Sequence, residues 1–322
     1  MIIIVDSRET VQHDYSISLI RLVAMYSIVA CHVFQYFDHK LAYWLNTGVQ
    51  LFLFISGWLY ATKKIDKPVT FLKRTLTKLL SDYYIFLLII IPLYFLFAPQ
   101  EIGVIQAVKL FLLRPQVYGL NHLWFMIYIV ICYFLLPGIY KIANKFCDSM
   151  NKEIAALLIL CLTFCGVEIV VGIESAWINC FLIGYFMNRL VRLYNVKYLY
   201  LLISISPLMA LTNYYRISGL VENETVIAYS KVFLAVFLFL ILYGLTKQMI
   251  VGGYSTNLVR ILKWTDRYSY DVYLVHHIFI IGPFSVFDSI KNTLLSLVIV
   301  LCAVHICAIG LNHLKQVLLL YI

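Results

Sequence analysis

Long apolar stretches alternate with short polar breaks along almost the whole chain. Ten stretches of 16–22 residues stand out, at 16–37, 43–62, 79–98, 122–140, 154–172, 175–190, 198–214, 230–246, 268–286 and 293–313. A bilayer core of about 30 Å takes about 20 residues of apolar helix to cross. The runs are continuous, whereas a membrane barrel shows segments of about 10 residues with alternating polarity. The pattern therefore predicts an all-α, polytopic membrane protein of about ten transmembrane helices. Between the spans, 63–78 reads as a basic loop, 99–121 and 215–229 as loops on the opposite side, and 254–267, with Trp264, as an interfacial helix. There is no internal repeat and no low-complexity linker. The expectation is a single integral membrane domain over 1–322, with its core at 15–314 and no appended soluble domain.

Composition strengthens this picture. The chain is 63% hydrophobic and 13% charged, with a mean hydropathy of +0.89. Soluble chains run about 45–50% apolar and about 25% charged. A soluble enzyme, a disordered chain and a secreted disulfide scaffold are excluded. The formal charge of +9 is explained by topology. With the N-terminus in the cytoplasm, 18 basic residues fall on inner segments and 6 on outer ones, and Arg21 lies inside a span. That bias supports both termini in the cytoplasm. No basic patch interleaved with aromatics suggests nucleic acid. Met1–Val5 is too short for a signal-peptide core, and Asp6, Arg8, Glu9 and Asp14 follow it, so no cleavable signal is expected. The eight cysteines show neither Cys-x-x-Cys nor zinc spacing, so no disulfide and no metal are assigned.

In so apolar a chain, ionisable residues inside spans call for a reason, since each costs about 2.5–3.5 kcal/mol on insertion scales. They are Arg21, His32, Glu168, His276, His277 and His305. Arg21 and His32 are eleven positions apart, about three turns plus 20°, so they share one helix face about 16.5 Å apart. One face thus carries a permanent cation at its inner end and a titratable base at its outer end. Snorkelling explains Arg21 alone, and packing explains His32 alone. Ser56-Gly57 leaves room for a neighbouring helix or a slender ligand. Arg74 and Lys78 at the inner edge suit a phosphorylated ligand, lipid heads or plain topology. His122 lies at the level of His32, and Trp124 beside it suits an interfacial belt. Ser269, Tyr273 and His276 fall at i, i+4 and i+7 as one polar stripe within about 60°, while His277 points about 100° away. Glu168 and His305 are read as structural.

Four segments together resemble the membrane-bound acyltransferase-3 family, over roughly residues 15–285. The family's Arg-x10-His in its first helix is met by Arg21 and His32. Its G-V-D-L-F-F-V-x-S-G-F segment is met by Gly48 to Trp58, with Gln50 where the family often has Asp. Its H-L-W-F is met by His122 to Phe125, and its S-Y-x-x-Y-L-x-H by Ser269 to His276. In the family's R-x-x-R-I-x-P-x-Y stretch, Lys78, Ser81 and Tyr83 stand in the places of Arg, Pro and Tyr, and Lys lacks the planar fork of Arg. The resemblance implies a multi-pass enzyme of the inner (cytoplasmic) membrane. It would move an acyl group, usually acetyl, from cytosolic acyl-CoA to a hydroxyl of an extracytoplasmic or lipid-linked glycan. Acetyl-CoA would be a co-substrate, with no bound cofactor. His32 would be the catalytic base, with a transient acyl-histidine as the rival chemistry. Arg21, Ser56, Gly57, Arg74 and Lys78 would meet acyl-CoA. His122, Trp124, Ser269, Tyr273 and His276 would line the acceptor pocket. A lipid-linked oligosaccharide polymerase, flippase or other transporter is the alternative reading. Oligomeric state and acceptor identity stay open.

Overall fold

The computed structural model describes residues 14–220, 223–251 and 256–319. The N-terminal segment on which the signal-peptide reading rests lies outside them. Every regular element among the described residues is helical: α1 (Tyr15–Tyr36), α2 (Ala42–Leu45), α3 (Thr47–Tyr60), α4 (Pro68–Phe97), α5 (Val104–Phe111), α6 (Phe125–Phe146), α7 (Met150–Val171), α8 (Ser175–Tyr194), α9 (Tyr198–Ser218), α10 (Glu224–Val251), α11 (Thr256–Val275), α12 (Val286–Ser289) and α13 (Thr293–Leu319). Short 3-10 turns at Asn121–Trp124 and His277–Phe279 flank α6 and α11. Local chemistry explains several ends. Asp14 caps α1 by accepting from the Ser16 backbone at 3.1 Å. Pro68 sits in the first turn of α4, where its missing N–H costs nothing. Gly172 and Gly219 close α7 and α9 in the left-handed region.

Among the described residues, six helices are long and apolar enough to cross a membrane: α1, α4, α6 with its preceding turn, α7, α10 and α13. Three of the others, α3, α8 and α11, deviate for visible reasons. At 14 residues α3 is only about 21 Å long, and it lies inside the bundle against α1, α8 and α10. All of Ser175–Leu190 in α8 is buried, so its polar residues face protein rather than lipid. In place of the basic loop expected at 63–78, α4 begins at Pro68. The expected interfacial helix at 254–267 is instead the first part of α11, continuous to Val275. The span expected at 268–286 therefore ends early. Gly282, with φ of 143°, precedes Pro283, and the chain there cannot continue as helix.

The outside of the bundle is apolar. Leu158, Ile159, Leu162, Ile169 and Val170 of α7 are all exposed, as suits a surface solvated by lipid tails. The only buried residue of α7 is Glu153. It accepts three hydrogen bonds of 2.6–3.1 Å from Arg189 of α8, which also donates to Asn144 Oδ1 and the Ala143 carbonyl. A fully bonded ion pair thus pins a lipid-facing helix to the central one. Helices α3 and α8 meet through paired glycines. A Cβ on Gly57 would lie 2.0 Å from the Phe181 carbonyl oxygen, and one on Gly184 would lie 2.2 Å from that of Phe54. Only glycine allows backbones so close.

Candidate functional site

The site is organised by α1 and α11, which run parallel. At one end Arg21 and Ser18 of α1 both bond the Asp266 carboxylate of α11. Eleven residues further along α1, His32 meets His276 and His277 at the end of α11, with ring centroids 5.1 and 4.4 Å away. The two levels are about 16 Å apart by helical rise.

His122 completes a cluster of four imidazoles. Its ring lies 6.3 Å from His32, 5.1 Å from His276 and 4.7 Å from His277, stacked on the last. Three rings are pinned by main-chain carbonyls, which can only accept. His276 Nδ1 donates to the Tyr273 carbonyl at 2.7 Å, His277 Nδ1 to that of Gly119 at 2.9 Å, and His122 Nε2 to that of Leu274 at 3.2 Å. Each pinned ring keeps a lone pair on its other nitrogen. His122 Nδ1 and His276 Nε2 have no partner. His32 differs from the other three. It is half-buried, and its Nδ1 pairs with the exposed Gln35 Oε1 at 2.5 Å. With Nδ1 donating to that oxygen, Nε2 is left as a base.

Two loops hold the cluster together. Gly119, just before His122, and Gly282, just after His277, have φ of 83° and 143°. A Cβ on Gly282 would lie 2.9 Å from the Gly119 Cα. Positive φ and close approach both demand glycine here. Tyr94 of α4 fastens the first loop by donating to the Tyr118 carbonyl at 2.8 Å. Tyr273 donates to the His122 carbonyl at 2.5 Å, so it positions His122.

Inward of the cluster, a cavity of about 30 Å³ lies among Ile28, Val49, Phe52, Phe125, Tyr270 and Tyr273. It has room for one or two water-sized groups. At the Asp266 end a larger cleft, about 420 Å³, opens on α4. Thr70, Lys73, Arg74, Thr77, Lys78 and Ser81 line it, and Lys315 reaches in from α13. The six α4 residues follow i, i+3, i+4, i+7 spacing, so one helix face carries cations and hydroxyls together. Lys315 is held by Asp82 at 2.7 Å. Beneath the cleft, Tyr270 of α11 donates to the Leu79 carbonyl of α4 at 3.1 Å, joining the two helices.

Residues 14–313 match the family model described as an acyltransferase domain, Acyl_transf_3. The chain belongs to the acyltransferase-3 family. No curated protein and no solved structure matches it. Family membership supports acyl transfer in general and a multi-pass membrane protein.

Against the sequence-based expectations, the structure of this acyltransferase-3 chain unites His32, His122 and His276 and adds His277. The 100° rotation that excluded His277 assumed a helix through that position, and α11 ends at Val275. Arg74 and Lys78 do share a basic face, on a helix. Arg21 is answered by Asp266, which no sequence motif pointed to. Gly57 does not line an open path, because α8 backbone occupies its face. Ser56 is half-buried beside Tyr133 of α6. Ser269 donates to the Asp266 carbonyl at 3.0 Å, one turn back in its own helix. Trp124 packs on Trp177 at 4.6 Å and Tyr128 at 5.7 Å. Glu168 accepts from Ser175 at 2.5 and 3.2 Å, and His305 bonds Tyr26 at 2.9 Å. Among the described residues no group of three or more His, Cys, Asp or Glu has metal-binding geometry. The His277–His32 contact and the Asp266–Arg21 pairing carried no local sequence signal, because each joins positions 245 residues apart.

Proposed function

We propose that this chain transfers a short acyl group, acetyl in the first instance, from cytosolic acyl-CoA to a hydroxyl of an extracytoplasmic or lipid-linked glycan. The setting would be the cytoplasmic membrane, with both termini inside. The observation that carries the reading is the placement of a cationic cleft and a free imidazole base at opposite ends of the α1–α11 pair, in a chain of this family. Lys73, Arg74, Lys78 and Lys315 would meet the phosphates of the donor. The pantetheine arm would run along α11 toward the cluster. The small apolar cavity beside Tyr273 favours a short acyl group over a long one.

In the step itself, His32 Nε2 takes the proton of the acceptor hydroxyl as its oxygen attacks the thioester carbonyl. The carbon–sulfur bond breaks, and the CoA thiolate leaves with the proton returned by the imidazolium. The alternative first step has His32 Nε2 itself attack the thioester and carry the acyl group briefly. Gln35 orients the ring in both.

The test is purified protein in nanodiscs given labelled acetyl-CoA, run beside mass spectrometry of surface glycans from cells with and without the gene. Thioester turnover and an acyl difference on a glycan are expected. Replacing His32 by Ala should lower turnover by roughly 10²–10⁴-fold while membrane insertion is kept. Full activity in that variant, or no thioester turnover by the parent, would overturn the reading and favour a transport role.

A further inference from the structure

A second group of charges gathers at the His32 end of the bundle. Arg216 lies in the last turn of α9, Lys231 lies two turns into α10, and Trp44 sits on the single-turn helix α2. The Arg216 guanidinium stacks over the Trp44 ring, 4.3 Å from its centroid. Both of its terminal nitrogens are buried and have no hydrogen-bond acceptor. Lys231 is half-buried. Its ammonium lies within electrostatic reach of Arg216, of the Glu174 carboxylate and of the Cys31 thiol. Cys31 directly precedes His32, and its sulfur bonds the Ala42 carbonyl at the start of α2. The group is therefore built onto the same stretch of α1 that carries the base.

This arrangement is costly as it stands. An arginine cannot shed its charge, and a buried cation without a partner carries several kcal/mol of desolvation cost. Among the described residues neither Arg216 nor Lys231 forms an ion pair. The nearby carboxylate, Glu174, is already accepting from Trp177 Nε1 at 2.6 Å. One carboxylate against two cations leaves a net positive site. The positive-inside bias also makes two such cations unusual at the end expected to face outward.

We propose that Arg216 and Lys231 bind an oxyanion carried by the acceptor, a uronate carboxylate or a sugar phosphate. This rests on the acyl-transfer reading and specifies its acceptor as an anionic glycan. Trp44 is 40% exposed, and its free face gives a sugar ring an apolar surface to lie on. Its other face covers the guanidinium, so the ligand enters by rotation of the exposed Trp44 side chain. A fork of guanidinium donors suits the planar pair of oxygens on a carboxylate or phosphate. A lipid phosphate offers the same chemistry. The stacking ring and the nearness to His32 favour a sugar.

The test uses the full-length chain in phosphatidylcholine nanodiscs and two probes, a glucuronate-terminated oligosaccharide and its neutral methyl ester. The acid should bind roughly tenfold more tightly than the ester, and the preference should shrink as salt rises. It should vanish in Arg216→Gln and in Lys231→Gln and survive in part in Arg216→Lys. Equal binding of acid and ester by the parent chain overturns the proposal, as does a preference that survives both neutral variants. The parent comparison needs no variant to fold. In a third arm, phosphatidylglycerol replaces part of the nanodisc lipid. If it alone raises thermal stability and the sugars show no preference, the cations serve a lipid head and the proposal falls. Acetyl-CoA turnover is read separately on the parent. Turnover without a preference overturns the anion site and leaves acyl transfer intact, whereas a preference without turnover overturns acyl transfer and leaves the anion site standing.

Discussion

Replacing Arg21 by Met asks whether this cation serves the donor directly or serves the frame. In the structure its side chain is 25% exposed and that of Asp266 is 11% exposed. Truncating one partner of a fully buried pair costs about 3–5 kcal/mol, because the other charge is left unpaired. Partial exposure lowers this, and we expect about 2–3 kcal/mol. At roughly 2 °C per kcal/mol for a chain of this size, Arg21→Met should lower the melting temperature by about 4–6 °C. Asp266→Leu should do about as much. In the double variant neither charge is stranded, so its loss should fall short of the sum by about 2 kcal/mol. Thermal unfolding in nanodiscs can be followed with a thiol-reactive dye, because Cys132 and Cys180 are fully buried in the folded chain. Acetyl-CoA turnover is measured on the same samples. If Arg21 also meets the donor, turnover falls further in Arg21→Met than in Asp266→Leu although the two lose about the same stability. If the two lose turnover equally, Arg21 acts only by holding α1 against α11. Strictly additive losses from the two single variants would refute the pairing and the reasoning built on it.

Other expectations follow from the same geometry. Gly57→Ala forces a Cβ to within 2.0 Å of the Phe181 oxygen, so α3 and α8 must part, at about 1–3 kcal/mol or more; unchanged stability with weaker donor binding would mean the position lines a path after all. Lys315→Met should raise the KM for acetyl-CoA about fivefold with kcat nearly unchanged, since it removes one charged contact from the cleft; an unchanged KM would remove Lys315 from the donor site. Gln35→Ala frees the His32 ring to rotate and should lower kcat about tenfold, with Gln35→Glu retaining most activity; a kcat equal to the parent's would show that the ring is held by its histidine neighbours instead. Glu153→Gln breaks the bonded pair with Arg189 and should cost about 3 kcal/mol of stability, and an unaltered melting temperature would contradict that role for the pair.

Much of this molecule is legible in its amino-acid sequence. The apolar runs locate the long helices because crossing a bilayer requires internal hydrogen bonding along an uninterrupted apolar segment, and that is a local property. The shared face of Arg21 and His32 follows from helical geometry, and the structure does place both along α11. Legibility fails where a helix begins or stops unexpectedly. Pro68 starts α4 inside what reads as a loop, and that turns scattered lysines into one face of a cleft. Gly282-Pro283 lies beyond α11, and the break before it turns His277 toward His32. It fails also at Gly57, where a small residue means either a ligand or a helix until the neighbour is known.

The sequence alone determines an all-helical membrane chain, its family, and a cation and a base on one face of the first helix. These properties depend on residues near one another in the chain. Only the tertiary structure decides what those two side chains meet. Four histidines from three segments converge because α1 and α11 pack in parallel and two glycine loops cross beside them. Asp266 reaches Arg21 across 245 residues, and Lys315 reaches Asp82 beside the α4 cleft across 233. Arg216 and Lys231 come to share a site with Trp44 in the same way. Such pairings are chosen by the packing of helices that share an apolar solvent, and hydropathy is nearly indifferent to which helix lies beside which.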